Sequence, residues 1–85
     1  MESLNGHSAQ ELKEAISKQT KYDIKNIRFF GSRITGGWKE DSDLDIAILD
    51  ENKTDHPIFY TSCLGINCEC RFVDTFDQSW LKKYL

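Results

Sequence analysis

Two aspartates, Asp43 and Asp45, alternate with Leu44 at the head of an apolar run that continues to Leu49. Residues two apart on a strand point the same way and lie about 6.5–7 Å apart, so both carboxylates can embrace a divalent cation. Asp41 and Ser42 suit a polar turn before the strand. Asp45, set among Leu, Ile and Ala, needs a partner, and a metal ion is the most economical one. Upstream, a second apolar run ending at Phe30 enters a turn, Gly31-Ser-Arg-Ile-Thr-Gly36. Gly31 permits close backbone approach to phosphate, and the Ser32 hydroxyl can donate to a phosphate oxygen. Arg33 can neutralise a triphosphate or pair with a nearby carboxylate. Phosphate and metal together point to nucleotide chemistry.

Two other motifs fail on named residues. Gly31-x4-Gly36 resembles the start of a P-loop, but Gly37 and Trp38 stand where the lysine and hydroxyl residue belong. Asp41-x-Asp43-x-Asp45 resembles a calcium loop, but Ile46 replaces its glycine and Asn52 falls where its bidentate glutamate belongs.

The elements that must position these groups follow from pattern. Ser8-Ala-Gln-Glu11 fits a capping box, and Leu12, Ala15, Ile16 and Gln19 continue at helical spacing, predicting an amphipathic helix over residues 9–20. Ile24, Ile27, Phe29 and Phe30 predict a strand that stops at Gly31. Asp43 to Leu49 predicts a second, with Leu44, Ile46 and Ile48 on one face and Asp43, Asp45 and Ala47 on the other. Asp55 and Pro57 resemble a helix start; Ile58, Phe59, Cys63 and Leu64 supply a stripe and Gly65 a stop, predicting a short helix. Asn67 to Asp74 predicts a third strand. Gln78 to Leu85 predicts a closing helix whose Trp80, Leu81, Tyr84 and Leu85 complete the core or dock a protein.

At 85 residues, with one proline and no repeat, the chain is expected to form a single domain over residues 1–85. Fourteen acidic against 11 basic residues give a net charge of −3, which argues against an extended nucleic-acid surface. Three cysteines, Cys63, Cys68 and Cys70, are an odd number without a paired Cys-x2-Cys knuckle, so free structural thiols are expected rather than disulfides or zinc. No basic leader precedes an apolar run, and no stretch approaches the roughly 20 apolar residues that span a bilayer. A cytoplasmic protein without membrane contact is expected. So small a core also leaves room for a docked partner or a homo-oligomer.

An apolar strand ending in Gly-Ser, then Ser-Asp-x-Asp opening another, resembles the nucleotidyltransferases of the DNA polymerase β superfamily, and among them the stand-alone minimal nucleotidyltransferases (MNT). Their hallmark is Gly-Ser-x-x-x-Gly followed by Asp-Ser-Asp-hydrophobic-Asp. Here these are Gly31 to Gly36 and Asp41-Ser42-Asp43-Leu44-Asp45, at the usual gap. The resemblance covers most of the chain from Ile27 onward, with Val73-Asp74 and the segment from Gln78 to Leu85 matching a later strand and helix. It implies a two-layer α+β fold, a small mixed sheet of three to four strands packed with helices on one side. It further implies transfer of a nucleoside monophosphate, AMP from ATP, to a hydroxyl. Asp43, Asp45 and Asp74 would be the catalytic carboxylates and ligands of two magnesium ions, and Gly31, Ser32 and Arg33 the nucleotide contacts. Glu69 lies on the same expected strand as Asp74 and is the alternative third carboxylate; the family's Val-Asp context favours Asp74. For minimal members the resemblance implies an antitoxin that adenylylates a helical HEPN-type toxin. A non-catalytic module that neutralises its partner by contact is the alternative, as is transfer to a small molecule such as an aminoglycoside antibiotic.

Overall fold

The computed structural model describes residues 2–81 and 83–85; Lys82, inside the predicted closing helix, lies outside them. Helix α1, Ala9–Thr20, starts with the predicted capping box: Ser8 accepts from the Glu11 backbone N–H, and the Glu11 side chain accepts from the Ser8 N–H. It ends where Lys21 turns left-handed (φ 68°) and its N–H reaches the Ser17 carbonyl. A turn of 3-10 helix at Ile24–Asn26 takes the first residues of the predicted strand, so β1 is shorter, Ile27–Phe30. Next come a one-turn helix α2, Ser32–Thr35, and strand β2, Leu44–Leu49.

The short helix predicted between Asp55 and Gly65 is replaced by a strand, β3, Phe59–Cys63, followed directly by β4, Ile66–Val73. Leu64 and Gly65 both have positive φ, 50° and 80°, the pattern of a two-residue hairpin turn whose twist matches the strands it joins. Gly65 therefore turns a hairpin instead of stopping a helix. The predicted closing helix is also absent among the described residues. Instead Phe29 and Leu85 exchange backbone hydrogen bonds, 2.9 Å each way, along the outer edge of β1. An eight-residue helix is marginal alone, and the pairing with β1 satisfies both backbone groups of Leu85.

The four strands form one mixed sheet in the order β1-β2-β4-β3, with β2 and β4 parallel and the two outer pairs antiparallel. Together with α1 this is the α+β fold with a mixed sheet that the resemblance implied. Leu12 and Ile16 of α1 meet Ile27, Phe29, Leu44, Ile46, Ile48, Ile66, Cys68 and Cys70 on one face of the sheet. All three cysteines are free and buried, and burial pushes the Cys68 and Cys70 thiols up to about 12. On the opposite face a smaller cluster joins Phe30, Ala47 and Val73 to Leu81 of the C-terminal segment. The rest of that second face carries the polar residues.

Candidate active site

Strand register decides which side chains meet. Phe30 pairs with Asp45, Asp45 with Glu69 and Glu69 with Tyr60, so one row crosses all four strands of the second face. Asp43, two residues before Asp45, shares that face but is exposed. Asp45 is half-buried between Gly31 and Glu69. A Cβ on Gly31, which has a φ of 83°, would lie 1.9 Å from Asp45 Oδ2. Glycine is required there both for the backbone conformation and for the room the carboxylate occupies.

Asp45 and Glu69 behave as one acid pair. Burial first, and then the hydrogen bond and negative charge of Glu69, push the Asp45 carboxyl up to about 6, against a partial pull from Arg71. Glu69 moves the other way, held low chiefly by the hydrogen bond from Asp45, with Tyr60 and Arg71 as further donors. Tyr60 Oη donates to Glu69 Oε1 at 3.2 Å, and Arg71 Nη2 lies 3.2 Å from Oε2. Arg71 lies against the rings of Phe30 and Trp80, its guanidinium carbon 5.5 and 5.4 Å from their centroids. Its buried Nε meets no hydrogen-bond partner among the described residues. Beside this group opens a cleft of about 680 Å³, lined in part by Gly31, Thr35, Arg71, Trp80 and Lys83.

Asp74 does not join Asp43 and Asp45. It follows the end of β4, five positions beyond Glu69. At about 3.3 Å per residue it stands about 16 Å further along, beside Leu49, Phe76 and Leu81. Asp74 is exposed and accepts from Gln78 Nε2 at 3.1 Å. The third carboxylate beside Asp45 is Glu69.

Arg33 likewise departs from both roles expected of it. Only 6% exposed, it donates through Nε to the Ser42 carbonyl (2.8 Å), through Nη1 to Ser3 (2.8 Å) and through Nη2 to Glu40 (3.1 Å), with its guanidinium over Trp38. It fastens the loop before β2 to the N-terminal turn, meets neither Asp45 nor Glu69, and does not line the cleft beside them. Ser32, at the start of α2, follows Gly31 directly and stays at the site's border.

The family model described as Polymerase beta, Nucleotidyltransferase matches residues 10–81, nearly the whole chain. The chain belongs to this family. Comparison with curated proteins and with solved structures returned no significant match. As a nucleotidyltransferase domain it brings Gly31, Asp45 and Glu69 together, with Asp43 at the margin. No helix of the described residues is long and apolar enough to cross a membrane.

Family members use a nucleotide and a divalent metal, so the donor set must be tested for fit. Among the described residues, no three His, Cys, Asp or Glu side chains converge closely enough to enclose an ion by themselves. Asp45 and Glu69 nevertheless supply two adjacent carboxylates, a set that suits magnesium, which keeps waters and takes phosphate oxygens for its other positions. Arg71 and Lys83 line the neighbouring cleft and give it positive charge, which suits an anion.

Tyr60, Arg71, Trp80 and Lys83 carry little signal in the sequence. Tyr60 falls within the predicted helix, and Trp80 within an apolar stripe. Arg71 carried a usable signal: it follows Glu69 by two and so shares its face.

Proposed function

We propose that this domain transfers a nucleoside monophosphate from a nucleoside triphosphate, ATP first among candidates, to a hydroxyl on a protein. The acid pair Asp45–Glu69 carries this reading: it supplies two carboxylates beside a cleft that Arg71 and Lys83 line with positive charge. Magnesium, held by Asp45 and Glu69 with Asp43 joining from the margin, would supply positive charge to the α-phosphate and the leaving oxygen. The chain's own groups do the rest. Gly31 and Ser32 border the triphosphate, Arg71 and Lys83 neutralise it, and Trp80 offers an indole face to the base. Glu69 accepts the proton of the attacking hydroxyl. The MNT resemblance supports a HEPN-type partner as the acceptor in a toxin–antitoxin pair.

The test uses ATP labelled on its α-phosphate, magnesium and the candidate partner. Asp45→Asn and Glu69→Gln should each lower transfer roughly 100- to 1,000-fold, the order found when one electrostatic stabiliser is removed from an active site. Asp74→Asn should leave transfer nearly unchanged. Loss of transfer in Asp74→Asn with full activity in Glu69→Gln would reverse the assignment. The exposed position of Asp43 favours a second reading, neutralisation of the partner by contact alone. That reading requires full neutralisation by the Asp45→Asn, Glu69→Gln double variant.

A further inference from the structure

Tyr60 is 68% exposed on an edge strand and belongs to neither apolar cluster, yet its hydroxyl is directed onto Glu69, 3.2 Å from Oε1. The row Phe30–Asp45–Glu69–Tyr60 gives that contact a direction. At its β1 end the chain passes into Gly31 and the cleft with Arg71 and Lys83, the cationic side where a triphosphate tail fits. At its β3 end stands a phenol. Displacement at phosphorus requires the attacking and leaving oxygens roughly in line. A phosphorus atom above Asp45 and Glu69 has the tail on one side and Tyr60 Oη on the other.

We propose that Tyr60 is itself a nucleotide acceptor, so that the chain modifies its own β3 strand; this rests on the nucleotidyl-transfer reading of the same site. Tyr60 Oη attacks the α-phosphorus of a nucleoside triphosphate, a new oxygen–phosphorus bond forms, and the bond from the α-phosphorus to the bridging oxygen breaks. Pyrophosphate leaves toward Gly31, and the phenolic proton passes to Glu69. The product is a tyrosyl nucleoside monophosphate ester. Four other nearby hydroxyls are worse placed. Ser32, Thr35 and Ser79 are on the leaving side, and Thr61 faces α1, where it accepts from Gln19 Nε2.

Two measurements test this on the full chain. First, wild type is incubated with magnesium and ATP labelled on the α-phosphate, and the labelled peptide is mapped by mass spectrometry; label should lie on Tyr60 and be lost in Tyr60→Phe. Second, metal-free protein is treated with an adenosine bearing a fluorosulfonyl group on its 5′ oxygen, which places electrophilic sulfur where the α-phosphorus would sit. Tyr60 should form the adduct, excess ATP should block it, and Tyr60→Phe, whose ring is exposed and whose circular dichroism should be unchanged, should not react. Transfer of label to an added acceptor, with Tyr60 unmodified in both experiments, would overturn self-modification and leave the transfer reading standing. Absence of ATP binding, label and adduct alike would bring down both.

Discussion

Asp45 holds a proton at a pH where a solvated aspartate would have released it. Its carboxyl rises from 3.8 to about 6, because burial and Glu69 both oppose a second negative charge. The folded state therefore binds a proton that the unfolded chain gives up, and metal-free stability should fall as pH rises from about 4 to about 6, then level off. Glu69, lowered from 4.5, acts in the opposite sense, but its contribution is already complete above that value and is lost only on further acidification. Thermal melts across pH 4.5–7 should show the decline in wild type and not in Asp45→Asn. A divalent cation must displace the Asp45 proton, so its affinity should climb over the same interval. Half of this pair was legible beforehand: Asp43 and Asp45 stand out because they break an apolar run at period two. Glu69 could not be ranked above Asp74 from local pattern, since its advantage lies in the register between β2 and β4, set by residues far apart in the chain.

The loop from Gly36 to Asp43 carries no regular structure of its own, and Arg33 is the residue that fixes it. Arg33→Met should lower stability by about 2–4 kcal/mol in chemical denaturation, since three main-chain carbonyls lose charged donors at a buried position. A variant of wild-type stability with weakened ATP binding would instead return Arg33 to the triphosphate. Sequence favoured a contact with phosphate or carboxylate because arginine beside Gly-Ser resembles an anion site. Its burial and its carbonyl partners depend on where Ser3 and Ser42 come to lie. The β3–β4 hairpin was hidden for a different reason. Phe59 and Cys63 are four apart, a separation shared by one helix face and one strand face, and Leu-Gly lacks the Asn or Asp that marks most tight hairpins.

Across the whole molecule, the C-terminal segment covers the sheet face that α1 leaves open and walls the cleft with Trp80 and Lys83. Leu81, 2% exposed, anchors it. Leu81→Ala should cost about 2–4 kcal/mol and weaken ATP binding at the same time. An unchanged dissociation constant in a destabilised Leu81→Ala protein would place the nucleotide elsewhere. The sheet order has one more consequence. Asp45 belongs to an antiparallel pair, β1 with β2, and Glu69 to another, β3 with β4; only the parallel seam between β2 and β4 joins them. Each half is built from nearby segments, whereas the seam closes a longer loop and is the slower contact to make. A growing or half-folded chain thus holds the two acids on separate pieces, and the chemistry becomes possible only when the seam zips shut.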